Sequence, residues 1–209
     1  MTLTLLHTAE LHQRAFDALR DRIAPGETLR HVVRPDWLAR SQAGVPDDVA
    51  AEIAQAVAGA TGAVLCTCTT IGPAAEAAGA LRVDWPMMQE AARSGGDVLM
   101  VYTLESTLEP SLALLHRALD EAGKGAGQGR DVHLLALTQF WPLFEAGERT
   151  AFEAAIAGGV RDAVRDIPGL GAVVLAQGSM AGAAGLLADL GIPVLASPEL
   201  ALACALAAR

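Results

Sequence analysis

Basic residues are sparse in this chain: fifteen Lys and Arg stand against 24 Asp and Glu, for a net charge of −9. They form no cluster, so the electrostatic footprint that grips a phosphate backbone is missing, and nucleic acid is not an expected partner. Cysteine is scarcer still. Three cysteines cannot close a disulfide framework, and the Cys66-x-Cys68 pair has no further His or Cys at the spacing of a zinc site. A disulfide between residues two apart on a strand would strain the backbone. Metal and redox chemistry are therefore not expected. No apolar run approaches the ~18 residues of a membrane span, and the opening "MTLTLLHTAELHQRAF" lacks the basic region of a leader peptide. The expectation is a cytoplasmic protein without membrane contact.

What is present is apolar bulk. Of 209 residues, 52% are hydrophobic and 4% aromatic, enough core for one large domain or two small ones. Apolar helices of this kind are compatible with a homo-oligomer. Short apolar runs alternate with Ala/Leu-rich helical stretches along the chain. "LTLLHT" (3–8), "LRHVV" (29–33) and "AVLCTC" (63–68) read as strands, with helices near 10–22, 46–59 and 72–79 and a short strand at 81–84. The order restarts with "DVLMVYT" (97–103), "VHLLAL" (132–137), "AVVLAQ" (172–177) and "IPVLA" (192–196). Helices are expected near 108–122, 149–165 and 182–190, and "KGAGQGR" (124–130) reads as a loop. Continuous apolar strands separated by helices indicate parallel sheets covered on both faces.

The halves also match residue by residue. "AVLCTCTTIGPAA" (63–75) overlays "VVLAQGSMAGAAG" (173–185) without a gap, pairing Cys68 with Gly178, Thr69 with Ser179 and Gly72 with Gly182. "LTLLHT" overlays "VLMVYT", pairing Thr8 with Thr103. The expected architecture is α/β, with two similar parallel-sheet lobes related by a pseudo-twofold axis and an active-site cleft between them. Residues 1–95 with 197–209 make the first lobe, and 96–196 the second.

In open parallel sheets, ligands bind beyond the carboxyl ends of the strands, and the small polar residues gather there. Thr8, Thr69, Thr70, Thr103, Thr107, Gly178 and Ser179 are the candidate substrate-binding set. Their hydroxyls and the adjoining backbone N–H groups suit a small carboxylate. Each Ser or Thr taken singly also reads as a helix cap. Cys68 ends a strand just before a helix, which is expected to lower its pKa from about 8.5 and provide a thiolate base or nucleophile. Cys66, two residues deeper, reads as packing, and Cys204 as a buried helix residue. His7 and Tyr102 fall at matching strand ends. Trp37 and Trp141 each follow a second strand, as lids of the cleft or as packing anchors.

"LLHT", "TCTTIGP", "VYTLESTLEP" and "VVLAQGSMAG" resemble the aspartate/glutamate racemase superfamily over nearly the whole chain. The resemblance implies a cofactor-independent enzyme with one catalytic cysteine at the end of the third strand of each lobe, one thiolate removing the proton α to a carboxylate and the opposite thiol returning one. Carried over, the first cysteine falls on Cys68 and the second on Gly178, followed by Ser179. Glycine has no proton to give. Three accounts stay open: one-faced chemistry as in the decarboxylase branch, a replacement acid such as Ser179, or nucleophilic addition by Cys68, as in a maleate isomerase-like enzyme. A non-catalytic protein binding small carboxylates fits the same lobes.

Overall fold

The structure is a computed structural model describing residues 2–123 and 130–207; most of the 124–130 run read as a loop lies outside them. The chain forms, in order, β1 (Leu3–His7), α1 (Glu10–Ile23), β2 (Leu29–Val33), α2 (Pro35–Arg40), α3 (Asp47–Ala58), β3 (Val64–Cys66), α4 (Gly72–Ala77) and β4 (Leu81–Arg82). After α5 (Trp85–Arg93) come β5 (Asp97–Tyr102), α6 (Glu105–Gly123), β6 (Val132–Ala136), α7 (Trp141–Glu145) and α8 (Arg149–Asp166). The chain ends with β7 (Leu170–Leu175), α9 (Ala183–Leu186), β8 (Val194–Ala196) and α10 (Ser197–Ala207). The α/β class is as expected. Among the described residues there are two four-stranded sheets, ordered β2-β1-β3-β4 and β6-β5-β7-β8, and every strand pairing is parallel.

The chain divides into two compact units, Met1–Pro86 with Pro198–Arg209, and Met87–Ser197. In the first unit the alternation of side chains along a strand gives the sheet two apolar faces. Leu6, Val64 and Cys66 pack against Val49 and Ile53 of α3, four apart on one face of that helix. Leu3, Leu5 and Leu65 pack on the other side against Phe16 of α1 and Ala201, Leu202 and Ala205 of α10. Arg22 of α1 also pairs with Glu199 at the start of α10. In the second unit Leu99, Val101, Val173 and Leu175 meet Phe152, Ile156 and Val160 of α8, again at four-residue spacing.

Two of the expected helices differ in extent. α6 begins at Glu105 rather than near 108, and α9 is four residues long, with a 3₁₀ turn at Gly178–Met180 before it. Cys204 lies on α10 as expected but is exposed, not buried. The helix is apolar all round, with Ala201, Leu202 and Ala205 turned inward, so periodicity gave no way to tell its inner face from its outer one.

Candidate active site

In the first unit the chemistry-bearing residues stand at the carboxyl ends of β1 and β3. Successive side chains alternate, so Cys66 and Cys68 share one side and Thr67 points to the other. On that other side the Thr67 hydroxyl donates to the Leu6 carbonyl at 2.9 Å. Its one proton being spent, it accepts from His7 Nδ1–H at 2.8 Å. His7 Nε2 then accepts from His31 Nδ1 at 2.8 Å, and His31 Nε2 lies 3.3 Å from Asp17 Oδ1. Burial, with the charges of His31 and His12 adding to it, depresses the His7 pKa to about 3, so the ring is neutral.

On the Cys68 side, the Thr8 hydroxyl, the Thr70 hydroxyl and the backbone N–H groups of Ile71 and Thr70 all hydrogen-bond to the sulfur. Four donors on one thiol form a cradle for an anion. Even so, burial outweighs them, and the Cys68 pKa is raised above the ordinary thiol value rather than lowered. The expectation of a depressed pKa is thus corrected. The turn between β3 and α4 brings the anticipated amides, those of Thr70 and Ile71, but removing the sulfur from water is the larger effect. Cys66 is fully buried, its thiol pushed up by burial, and it donates to the Cys68 carbonyl at 3.4 Å.

The second unit repeats this plan one residue out of step with the gap-free overlay. Leu6 pairs with Cys66 across β1 and β3, and Val101 pairs with Leu175 across β5 and β7. The Thr67 N–H donates to the Leu6 carbonyl as the Ala176 N–H donates to that of Val101. The Gly72 N–H donates to Thr69 as the Ala181 N–H donates to Gly178, and the buried Ile71 finds its match in the buried Met180. The partner of Cys68 is therefore Gln177, not Gly178, and Thr70, not Thr69, matches Ser179. Packing accounts for the two glycines that anchored the overlay. A Cβ on Gly72 would lie 3.0 Å from Arg82 Nε, and one on Gly182 would lie 2.0 Å from Glu153 Oε1, so each admits its own charged neighbour.

Gln177 is held as Cys68 is. Its Oε1 accepts from the Thr103 hydroxyl at 2.9 Å, the Thr103 N–H at 2.6 Å and the Leu104 N–H at 3.1 Å. Thr103 thus does for Gln177 what Thr8 does for Cys68.

The glutamate racemase of Francisella tularensis, solved with D-glutamate, is similar in structure with a TM-score of 0.72, at 12% identity over 99% of this chain and 80% of its own. The allantoin racemase of Pseudomonas fluorescens is similar with a TM-score of 0.66, at 16% identity over 99% of this chain and 90% of its own. The chain has the racemase fold. A double mutant of arylmalonate decarboxylase, glycine to cysteine and cysteine to serine, shares that fold with a TM-score of 0.59, at 14% identity over 99% of this chain and 91% of its own. No family model and no curated protein matches the sequence.

Within the racemase fold the remaining candidates sort by position. Thr8, Thr69 and Thr70 are buried at the ends of β1 and β3. Thr107 lies inside the first turn of α6, buried, its N–H on the Leu104 carbonyl. Ser179 Oγ is buried with no hydrogen-bond partner. Trp37 is fully buried and donates from its indole to Glu52 at 2.8 Å, so it is a packing anchor, while Trp141 is partly exposed and stacks on Phe144. Among the described residues no group of three His, Cys, Asp or Glu is placed to hold a metal, and no helix is long and apolar enough to cross a membrane. Sequence pattern put Gln177 at a strand end without giving it a role, and it did not reveal the His31 contact with His7. Strand parity could have found the first, because Val173 and Leu175 face α8 and Gln177 follows on that face.

Proposed function

We propose that the chain is a cofactor-independent enzyme of the aspartate/glutamate racemase superfamily, in which Cys68 moves a proton at the carbon α to the carboxylate of a small molecule. The observation that carries this reading is the cradle of four donors on Cys68 Sγ. Donors stabilise a thiolate, and a bound carboxylate substrate that excludes water strengthens every such contact. Thr69 and Thr70 at the same strand end are assigned to the substrate's oxygens, and Ser179 is assigned the same kind of donor role at the matching strand end of the second unit. Ser179 has no His or Lys beside it to make it a base, and an unpaired hydroxyl is suited to donating.

One observation favours a particular branch. Racemisation by two thiols requires an acid for the second face, and the residue matching Cys68 is an amide that neither gives nor takes a proton near neutrality. A thiol whose pKa is raised rests protonated. It is poised to give its proton to a carbanion. In such a one-faced reaction a malonate-type substrate loses CO₂, the bonding pair of the broken C–C bond passes to the α-carbon, and Cys68 S–H delivers the proton and is reprotonated from solvent.

Turnover of a panel of amino acids, hydantoins, malonates and maleate, compared between the native chain and Cys68→Ser, tests the reading. Loss of turnover in the variant is expected, with product of one configuration. Equal turnover excludes thiol chemistry, and tight binding without turnover identifies a carboxylate-binding protein instead.

A further inference from the structure

Gln177 occupies in the second unit the position that Cys68 occupies in the first, and its amide can stand in one orientation. The backbone N–H groups of Thr103 and Leu104 can only donate, so the atom they meet at 2.6 and 3.1 Å is the oxygen. With the Thr103 hydroxyl added at 2.9 Å, three donors pin Oε1. Nε2 and its two hydrogens must then face away from those donors. Gln177 is 7% exposed, and the three donors on Oε1 hold the amide in this orientation. Two residues on, Ser179 Oγ is buried and without a partner. A buried donor without a protein partner is free to meet a ligand oxygen, and Ser179 Oγ is such a donor beside the Gln177 amide.

We propose that Gln177 is a substrate-recognising residue, its Nε2 donating to a carboxylate or carbonyl oxygen of a small molecule. The inference rests on the reading of the chain as a small-carboxylate enzyme. It adds a neutral group that selects for oxygen acceptors and takes no part in proton transfer, held in aim by Thr103 and Leu104.

Gln177→Glu separates this role from a structural one. A carboxylate keeps an oxygen for the three donors and is favoured there by the start of α6. It replaces the NH₂ by a second, negative oxygen that repels an anionic ligand. The full chain is titrated calorimetrically with malonate and with D- and L-glutamate and aspartate, alongside thermal melting. At least one probe should bind the native protein, and Gln177→Glu should weaken it about ten- to a hundredfold without lowering the melting temperature. The Gln177 side-chain amide resonances of the native protein, followed by NMR, should shift on saturation. Equal affinity in the variant, unmoved resonances or failure of every probe to bind would overturn the inference. Cys68→Ser run in parallel keeps the two readings apart: retained turnover there sinks the thiol chemistry alone, whereas Gln177 stands or falls on its own titration.

Discussion

At the end of β3 a threonine hydroxyl from the neighbouring strand meets a cysteine sulfur; at the end of β7 the matching hydroxyl meets an amide oxygen. The backbone plan is the same, with the same strand order and the same N–H to carbonyl bonds where the strands end. What differs is the acceptor. A thiol can give up its proton to a carbanion while a cradle of donors stabilises the thiolate left behind, which is the role proposed for Cys68 in the first unit. An amide held by three donors cannot, and the role proposed for Gln177 in the second unit is recognition without proton exchange. The repeat thus supplies two matching strand ends with different side chains, and the proposed division of duties between them follows from that difference.

The tryptophans sharpen that contrast with the largest effect. Trp37 and Trp141 follow the second strand of their units, but Trp37 is wholly enclosed and Trp141 is not. Trp37→Ala should cost about 3–5 kcal/mol in urea unfolding, and Trp141→Ala less than about half of that. Equal losses would mean that the two positions are packed alike.

The strand-end pair His7 and Tyr102 gives the next effect, through pH. The folded-state pKa of His7 is about 3 against an ordinary value of 6.5, so the unfolded chain takes up the proton first. Its contribution is present above pH 6.5 and lost as pH falls toward 3, at up to about 1.4 kcal/mol per pH unit. Urea midpoints measured across that range should flatten in His7→Asn, which keeps a donor for Thr67. Tyr102, raised by burial and by Glu105, adds no slope there. An unchanged slope in the variant would remove His7 as its source.

The threonines give the smallest effect. Thr103→Val removes one of three donors on Gln177 and should cost about 1 kcal/mol of stability. Thr8→Val should instead show in the thiol, moving the alkylation midpoint of Cys68 further up, because a bond that lowers its pKa is lost. A downward shift would reverse the role given to Thr8.

The two parallel sheets were legible in the sequence because continuous apolar runs of five or six residues, set between helical stretches, fit strands buried on both faces and little else. Cys68 and its threonines could be read for the same reason, since a polar residue directly after such a run must sit at a strand end. The partner of Cys68 could not. The two glycines looked equivalent, yet Gly72 makes room for Arg82 and Gly182 for Glu153, and only the pairing register reveals that they differ by one residue. Nor could composition weigh burial against hydrogen bonds at Cys68, where the balance depends on side chains brought from β1 and from the turn after β3. Contacts between distant residues, such as His7 with His31, left no mark on local pattern.

The most direct test of this division of duties is the uptake of solvent deuterium at the α-carbon of amino acids, hydantoins and malonates in D₂O. The native chain should label at least one of these. Cys68→Ser should lose about a hundredfold or more of that rate. Labelling by Cys68→Ser at the native rate would contradict the account.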